Sequence, residues 1–378
     1  MKMANEKLSK ASDGSSKDIV SGVVSFFSGC GLLDLGFEDS GFQVVFVNEI
    51  EKEFLSAYKF SREQLKHDAP KFGYSTESID YFLEEKGSLE LTKIVDSSRK
   101  TGLPVGFVGG PPCPDFSVAG KNRGSKGDNG RLSQSYVDLI CKQKPDWFLF
   151  ENVRGLWRTK NHRAFFEKLK KQLKKSGYSL SEKLLNSIQF GVPQDRDRIF
   201  LFGTLKSLNL DTDKSFSWDY AASYSREQAF GFPWPETDSF GGKPTKPNVP
   251  NELTVAHWFQ RNAVDGHPNS THCFQARAGL AKFLVIAEGD SSKKSYKRLH
   301  RYRYSPTVAY GNNEVHLHPW LPRRLTVAEA LSLQSLPKEY VLPSDMTLSA
   351  MFKTIGNGVP YLLGKGVASA IASHVSNR

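Results

Sequence analysis

One cysteine of this sequence stands where a nucleophile could work. Cys113 lies in the loop GGPPCPDFS, which follows directly on the apolar segment 105–108. Three prolines restrict the backbone of this loop, and open α/β sheets bind ligands at the carboxyl ends of their strands. A thiol held there could bond covalently to an electrophilic carbon, whereas an inert buried thiol is the structural alternative. We therefore predict that Cys113 is a catalytic nucleophile.

A carboxyl group and two guanidinium groups could assist this thiol. Glu151 follows the apolar run WFLF, and a carboxyl among apolar residues can have a raised pKa and act as an acid. Arg196 and Arg198 alternate in QDRDR as strand residues do, so their side chains should project the same way and could hold a carbonyl oxygen or a phosphate. The structural alternatives are a capping or salt-bridged Glu151, and surface arginines paired with Asp195 and Asp197.

A glycine turn predicts a cofactor site. In FFSGCGLLDLG a strand-like run passes through glycines into a helical pattern, and Glu49 ends the next apolar run, where an acid can accept both ribose hydroxyls. A dinucleotide loop would carry a third glycine at the position of Asp34, and Asp34 and Asp39 disfavour a pyrophosphate. S-adenosylmethionine has no phosphate and is positively charged, so the acidic surroundings favour it. A tight turn without a ligand is the alternative.

These residues must be positioned by a sheet. Strand-like apolar runs alternate with helical patterns, which indicates the α/β class, with a parallel sheet and helices on both faces. The predicted strands span 22–27, 44–47, 105–108, 147–150 and 199–202. An amphipathic helix is predicted over 162–176, ending before Gly177, with Phe165, Phe166, Leu169 and Leu173 on its apolar face.

The composition divides the chain. Residues 1–19 are polar and are predicted to form a flexible tail, and residues 20–203 are predicted to form the catalytic and cofactor-binding domain. From 204 to 305 the sequence is rich in Pro, Gly, Ser and aromatic residues and has little periodicity. This region is predicted to be a smaller, irregular domain inserted into the first. Helical patterns return within 306–378, which is predicted to rejoin the catalytic domain.

The overall composition excludes several classes of protein. The chain has 378 residues, of which 39% are hydrophobic and 24% charged, so it is globular rather than disordered. Its four cysteines include no CxxC pair, which argues against a disulfide framework and a zinc site. His316 and His318 have no third ligand nearby, so no metal is expected. The sequence has no secretory signal and no apolar run of 18 residues, so a cytoplasmic protein without membrane contact is expected.

The charge balance favours a polyanionic partner. The sequence has 51 Lys and Arg against 40 Asp and Glu, a formal net charge of +11, which is consistent with binding to nucleic acid. The run SSKKSYKRLHRYRY at 291–304 combines basic residues and tyrosines without an acid, and it is predicted to contact phosphates. A solvated charge run is the alternative, and the Lys-rich face of the helix at 162–176 is interpreted as an ordinary solvent face.

Six ordered blocks of the sequence resemble one protein family. FFSGCG, GGPPCP, ENV, QDRDR, RRLTVAEALSLQSLP (323–337) and MFKTIGNGVP (351–360) are similar in order and spacing to the motifs of the cytosine-C5 DNA methyltransferases. The resemblance extends from Val23 to about Gly364. It implies a Rossmann-like, S-adenosylmethionine-dependent methyltransferase sheet, with residues 204–305 as an inserted target-recognition domain.

The resemblance also implies roles for individual residues. Cys113 would add to C6 of a cytosine flipped out of duplex DNA so that C5 can take a methyl group, while Glu151 engages N3 and the exocyclic amine. Arg198, with Arg196, would hold the O2 and phosphate side of the base. The implied cofactor pocket comprises Phe27, Gly29, Cys30, Gly31, Glu49, Pro112, Leu132, Asn357 and Val359.

Three positions depart from the family pattern. Leu32 replaces the glycine that usually follows the turn, which is expected to tighten the turn and shift the cofactor slightly. Pro114 replaces the glutamine that usually follows the nucleophile, so the contacts of that glutamine must come from elsewhere. The acid that would bind the adenine amine stays unassigned, with Asp80 and Asp96 as candidates.

The expected function is that of a DNA (cytosine-5-)-methyltransferase acting on double-stranded DNA. The compact chain favours a monomeric modification enzyme of a bacterial restriction–modification pair, with a cognate restriction endonuclease as partner. A tRNA cytosine-5 methyltransferase is an alternative, although Gln275 follows Cys273-Phe274 where those relatives usually have threonine. A catalytically silent, sequence-specific DNA-binding protein would not need Cys113 and Glu151. An NAD-dependent oxidoreductase would need the missing third glycine.

Overall fold

A seven-stranded sheet organises the chain around the predicted site. The computed structural model describes residues 19–112, 128–275, 280–293, 295–308 and 316–376, so Cys113, Pro114 and nearly all of the predicted tail lie outside the described residues. The strands are β1 (Ser21–Phe26), β2 (Phe42–Asn48), β3 (Tyr74–Ser75), β4 (Val105–Gly109), β5 (Trp147–Val153), β6 (Tyr178–Asn186), β7 (Asp197–Leu205), β8 (Lys297–Arg298) and β9 (His316–Leu317). The main sheet has the order β3-β2-β1-β4-β5-β7-β6, and β8 pairs with β9 in a separate sheet. This architecture confirms the predicted α/β class.

The central strands are buried because helices cover both faces of the sheet. Every residue of β1 and of β4 is buried. Gly106 in β4 lets the Trp147 indole lie against the backbone, since a Cβ at position 106 would be 2.0 Å from Cε2 of Trp147. The sheet is therefore closely packed at the amino-terminal ends of β4 and β5.

The prediction of a parallel sheet holds for β1 to β5 and is wrong at one side of the sheet. Strand β7 runs antiparallel to β5 and to β6, and β6 is absent from the sequence prediction. Strand β6, YSLSEKLLN, is a half-exposed edge strand, so it lacks the continuous apolar run by which the other strands are recognised. Because β7 runs antiparallel to β5, Arg198 at the start of β7 lies directly opposite Val153 at the end of β5.

Helices cover both faces of this sheet. They are α1 (Leu32–Glu38), α2 (Lys52–Gln64), α3 (Glu85–Arg99), α4 (Asp128–Gln143), α5 (Gly155–Arg158), α6 (Lys160–Lys175), α7 (Thr212–Ser215), α8 (Arg226–Gly231), α9 (Val255–Arg261), α10 (Leu280–Val285), α11 (Val327–Leu333), α12 (Leu348–Asn357) and α13 (Tyr361–Val375). Apolar side chains of α3, α4 and α6 pack on one face, and those of α1, α2 and α13 pack on the other. Across the described ranges, no helix has the length and apolarity needed to cross a membrane.

Helix α6 corresponds to the amphipathic helix predicted over 162–176. Phe166, Leu169 and Leu173 are fully buried against the sheet, whereas Phe165 is only half-buried. Gly177 follows the helix with φ of +97°, a left-handed conformation that suits glycine at a helix end. The predicted end of this helix is therefore confirmed.

The last helix packs against the first. Gly36 of α1 faces the backbone of α13 closely, since a Cβ at position 36 would be 2.5 Å from the Lys365 nitrogen. This contact brings the segment before α13 to the glycine turn that precedes α1. The two ends of the described chain thus meet at one side of the sheet.

The chain after β7 first completes the cover of the sheet and then forms a separate core. Phe216 packs on Phe202 with ring centroids 4.5 Å apart, and Trp218 joins the same cluster. Further along, Val255 and Leu299 belong to a different apolar cluster, built mainly from short helices and loops. Contact with the sheet therefore continues to Trp218.

The basic run at 291–304 is partly internal. Arg298 is fully buried, and its guanidinium donates hydrogen bonds to four backbone carbonyls. Arg301 pairs with the buried Glu288 at 2.7 Å. The prediction that this run contacts phosphates is therefore wrong for Arg298, whose buried guanidinium instead holds the inserted region together.

Candidate active site

A cavity of about 600 Å³ opens at the carboxyl ends of β1, β2, β4 and β5. This volume is in the usual range for small-molecule sites. Eight of the nine predicted cofactor residues line it, namely Phe27, Gly29, Cys30, Glu49, Pro112, Leu132, Asn357 and Val359. Glu151 and Arg198 line the same cavity, whereas Gly31 and Arg196 lie outside its described lining. Cys113, outside the described residues, follows directly on Pro112 in the sequence.

The turn after β1 uses conformations that favour glycine. Gly29 and Gly31 have φ values of +57° and +85°. A Cβ at position 31 would be 2.5 Å from the Tyr58 ring, so a side chain there is excluded by packing as well as by φ. Phe27 has φ of +54°, which is uncommon for a bulky residue and occurs where the surrounding structure imposes it.

Buried polar groups hold the carbonyls of this turn. The Arg62 guanidinium donates to the Gly31 carbonyl at 2.7 Å and pairs with Glu38 at 2.8 Å. The Tyr340 hydroxyl donates to the Cys30 carbonyl at 2.5 Å. These groups hold the turn from the protein side, and Gly29 and Cys30 line the cavity.

Glu49 closes the turn from the end of β2. Its Oε2 accepts a hydrogen bond from the Gly29 N–H at 2.7 Å, and its Oε1 accepts one from the Glu51 N–H at 2.9 Å. Each carboxylate oxygen has two lone pairs, so one on each oxygen remains for a ligand hydroxyl. Burial raises the pKa of Glu49, and the two backbone N–H groups oppose that shift.

Glu151 and Arg198 form a buried ion pair in the cavity wall. Arg198 Nε lies 2.9 Å from Glu151 Oε1, and both side chains are about nine-tenths buried. Burial raises the pKa of Glu151, while the Arg198 and Arg196 guanidinium groups oppose the shift. The sheet register that sets β7 against β5 produces this pair. Glu151 is thus salt-bridged, as the structural alternative expected, and it also lines the cavity.

Two contacts place the loop after β4 beside this pair. A Cβ at position 110 would lie 2.7 Å from Glu151 Oε2, so only glycine leaves room for the carboxylate. The Asn152 side-chain amide donates to the Pro111 carbonyl at 3.3 Å. The start of the GGPPCP loop is thereby anchored to the residues that follow β5, and Pro112 is carried to the cavity wall.

Arg196 is directed to the backbone of the C-terminal segment. Its guanidinium donates to the carbonyls of Val308, Gly356 and Gly358, at 3.1, 2.7 and 3.0 Å. Gly356 and Gly358 line the cavity, so Arg196 supports the wall from behind. Leu32, one of the three departures from the family pattern, packs against this wall. A Cβ at position 358 would be only 2.6 Å from Leu32 Cδ2, so the glycine there leaves room for the leucine side chain.

Several lining residues are missing from the sequence prediction. Ile50 is 58% exposed although it lines the cavity, and Ser78 and Ile79 approach from the segment after β3. Ile50 could have been found, since it directly follows Glu49, whereas the segment around Ser78 carries no clear periodicity. Asp80, a candidate for the adenine amine, instead accepts a hydrogen bond from Ser135 at 2.6 Å. Neither Asp80 nor Asp96 is among the described lining residues.

The described cavity wall is predominantly acidic. Its charged residues are Asp34, Glu49, Glu51, Glu77 and Glu151 against Arg198 and Lys353. Burial raises the pKa of Asp34 to about 6, with the Arg62 guanidinium opposing the shift. Such a wall favours a cationic ligand over a pyrophosphate. Within the described part of the chain no group of three or more His, Cys, Asp or Glu side chains could hold a metal ion.

Comparisons with known proteins agree with this geometry. The family model for C-5 cytosine-specific DNA methylase matches residues 22–373. The chain is 57% identical over 356 residues to the Type II methyltransferase M.NmeDI of Neisseria meningitidis serogroup C, covering 94% of this chain and 84% of the relative. It is 27% identical to the Type II methyltransferase M.FnuDI of Fusobacterium nucleatum, covering 94% and 95%.

Solved structures share the fold. A crystal structure described as a DNA modification methyltransferase encoded within an E. coli prophage matches with a TM-score of 0.66 and 20% identity, covering 94% of this chain and 99% of that one. The S. pombe Dnmt2 methyltransferase matches with a TM-score of 0.59 and 14% identity, covering 94% and 98%. These neighbours confirm the methyltransferase fold, and the family model spans almost the whole sequence. The chain therefore belongs to the C-5 cytosine-specific DNA methylase family.

Proposed function

We propose that this protein transfers a methyl group from S-adenosylmethionine to C5 of a cytosine that it flips out of duplex DNA. The observation that carries the proposal is the buried Glu151–Arg198 pair, which lines the same cavity as the glycine turn and Glu49. A flipped cytosine presents N3 and an exocyclic amine on one edge and O2 beside them. A carboxyl and a guanidinium fixed 2.9 Å apart complement that edge.

The residues of the cavity wall fit S-adenosylmethionine. The remaining lone pairs of the Glu49 carboxylate can accept the two ribose hydroxyls, and Phe27, Ile50 and Leu132 offer apolar surface to the adenine. The acidic wall suits the positive sulfonium and ammonium groups. When bound, this cofactor supplies an electrophilic methyl group.

The chain's own residues would activate the base. Cytosine C5 is a poor nucleophile because the ring is aromatic, and addition of the Cys113 thiolate to C6 makes C5 enamine-like. With its pKa raised by burial, Glu151 can hold a proton on the N3 side while charge builds on the ring, and Arg198 would hold O2. Once C5 has taken the methyl group, its proton passes to a water molecule and the C6–S bond breaks, which restores the aromatic ring and the thiolate.

Arg196 is proposed to act by positioning. Its three hydrogen bonds to backbone carbonyls tie the Gly356–Gly358 wall to the start of β7, where Arg198 begins its approach to Glu151. Its charge also opposes the rise in the pKa of Glu151 that burial causes. We therefore propose that Arg196 does not touch the base and instead positions Arg198 and the cavity wall around it.

The biological role proposed here is the modification half of a restriction–modification pair. Both relatives named above are called Type II methyltransferases, and both are bacterial. The partner would be a cognate restriction endonuclease acting on the same DNA sequence, and the protein would act as a monomer in the cytoplasm. The region 204–305 would read that sequence.

Methyl transfer from labelled S-adenosylmethionine to unmethylated plasmid DNA tests the proposal. Bisulfite sequencing of the product is expected to show 5-methylcytosine at one short recurring motif. Cys113→Ser should abolish transfer and keep cofactor binding, measured by calorimetry. Cys141→Ser, at a half-buried thiol on α4, is the matched control and should keep activity.

Two results would contradict the proposal. Intact cofactor binding with no methylation of any DNA, and with methylation of tRNA instead, would move the substrate to RNA. Full activity of Cys113→Ser would exclude the covalent mechanism while leaving the reaction itself in place.

A further inference from the structure

Two arginines from different parts of the chain converge on one carboxylate beside the cavity. Arg154 Nη1 lies 2.8 Å from Asp197 Oδ2, and Arg226 Nη1 lies 2.7 Å from Asp197 Oδ1. The carboxylate is nine-tenths buried, whereas the Arg154 and Arg226 side chains are 51% and 39% exposed. Asp197 therefore orients two guanidinium groups that still face solvent.

This cluster adjoins the proposed base site. Arg154 follows Val153, which lines the cavity, and Asp197 precedes Arg198, which pairs with Glu151. The Arg198 Nη1 also donates to the Asp197 carbonyl at 2.8 Å, so the two ion pairs share one stretch of backbone. Arg226 begins α8 in the region proposed to read DNA, which links that region to the catalytic sheet.

The surface that continues from Arg154 is basic. The segment 152–166 contains four Lys and Arg and no acid, and Arg154, Arg158 and Lys160 are all exposed. Arg163 extends the same surface, with its guanidinium 4.4 Å from the centroid of the Trp157 ring. The acids beside these cations are Glu167, 4.0 Å from the Arg163 guanidinium, and the buried Asp197. Cations therefore outnumber acids at the mouth of a nucleotide-sized cavity, and such a surface is suited to a polyanion.

We propose that Arg154 and Arg226 bind backbone phosphates of the DNA strand that carries the target cytosine, with Asp197 as the residue that positions both. This inference rests on the proposed DNA substrate. A guanidinium has five N–H groups; the contacts to Asp197 use one of Arg154 and two of Arg226, so donors remain on both for phosphate oxygens. The neighbouring Asp195 adjoins this cluster, because the Asn186 side-chain amide donates to Asp195 at 2.7 Å and to Asp197 at 2.9 Å.

The cluster also explains how a phosphate could be held firmly on an exposed surface. Free arginine side chains lose rotamer freedom when they bind, and the Asp197 contacts remove part of that cost beforehand. Arg226 lies over the Phe230 ring at 5.3 Å, which restrains it further. The strand would thus be gripped next to the nucleotide that leaves the duplex.

The salt dependence of DNA binding tests this proposal. The probe is a short unmethylated duplex carrying the motif that the wild-type protein methylates, and the dissociation constant is measured by fluorescence anisotropy across a salt series. For Arg154→Gln and for Arg226→Gln, the slope of log K against log salt should fall by about 1, with weaker binding at low salt. Arg154→Lys should restore the slope, because it keeps the charge. The KM for the duplex should rise in both glutamine variants, because each loses a contact to a phosphate.

Arg99→Gln is the matched control. Arg99 is 35% exposed and pairs with the largely buried Asp146 at 3.1 Å, at the amino-terminal ends of β4 and β5 and thus away from the cavity. It should lose a similar ion pair without changing the salt slope. Wild-type slopes for both Arg154→Gln and Arg226→Gln would overturn the proposal. The cluster around Asp197 would then serve only to connect two regions of the fold. If Arg226→Gln does not fold, the exposed Arg154 decides alone. Absence of wild-type binding to DNA would instead contradict the proposed function.

Discussion

At the scale of single residues, the position of the Glu151 carboxylate depends on the lack of a side chain at Gly110. Gly110 leaves a space in which Glu151 Oε2 lies, and a Cβ there would be 2.7 Å from that oxygen. We expect Gly110→Ala to displace the carboxylate from its place against Arg198. Because a misplacement of about 1 Å can cost about 100-fold in rate, kcat should fall by about 10- to 100-fold while cofactor binding is kept.

Steady-state kinetics with plasmid DNA and calorimetry with S-adenosylmethionine measure these two effects. Gly266→Ala is the control, since nothing lies within 4 Å of a Cβ at that position and it should leave both values unchanged. An unaltered kcat for Gly110→Ala would mean that the carboxylate does not need its present position.

The residues predicted from chemistry alone were found because their positions follow from strand ends. Glu49 and Glu151 each end an apolar run, and parallel strands bring such positions to one edge of a sheet. Arg298 was misjudged for a physical reason. A buried arginine and an exposed one look alike in a local basic run, and only the packing of distant segments supplies the four carbonyls that Arg298 binds. Burial of this kind is not encoded in neighbouring residues.

At the scale of elements, continuous apolar runs predicted β1, β4 and β5 closely, because strands covered on both faces need such runs. The direction of β7 could not be predicted in this way, since an apolar run has no direction. It depends on the edge strand β6, whose polar residues face solvent. The ion pair of Glu151 and Arg198 depends on the direction of β7. Both residues could be predicted from the sequence as site residues, but their contact could not.

Helix α11 depends on a buried carboxylate at its start. Glu329 accepts from the Thr326 N–H at 2.8 Å in a capping box and pairs with Arg323 at 2.7 Å. Although burial opposes it, the hydrogen bonds from Arg323 and His318 lower the pKa of Glu329 to about 2. A carboxyl whose folded pKa lies below its unfolded value stabilises the protein above the unfolded pKa, and this contribution is lost as pH falls towards the folded pKa.

We therefore expect the stability difference between wild type and Glu329→Gln to be largest above pH of about 4.5 and to shrink as the pH falls towards about 2. Urea unfolding monitored by circular dichroism at a series of pH values between 6 and 3 measures it. The control is Glu339→Gln, at an exposed carboxylate a few residues further along, which should show no such difference. A difference independent of pH would show that folding does not lower the pKa of this carboxyl.

At the scale of the whole molecule, the cofactor wall is assembled from both ends of the described chain. The glycine turn after β1 meets the segment before α13, and α1 packs on α13 through Gly36. Arg196 lies between these parts and also reaches Val308, three residues after the inserted region. One buried guanidinium thus joins the start of the strand that carries Arg198 to two parts of the segment that returns to the sheet.

Replacement of Arg196 should therefore affect stability and cofactor affinity together. In Arg196→Gln, three buried carbonyls lose a donor, which should lower the free energy of unfolding by about 2–5 kcal/mol. Since Gly356 and Gly358 line the cavity, the dissociation constant of S-adenosylmethionine should rise by about tenfold, or about 1.4 kcal/mol. Arg196→Lys should recover part of both.

Arg301→Gln is the control for this prediction. The buried Glu288 then loses its ion-pair partner, so stability should fall. Cofactor affinity should stay unchanged, because this pair lies outside the described lining of the cavity. Calorimetry with cofactor and urea unfolding separate the two effects, and an unchanged cofactor affinity in a destabilised Arg196→Gln would limit Arg196 to holding the fold.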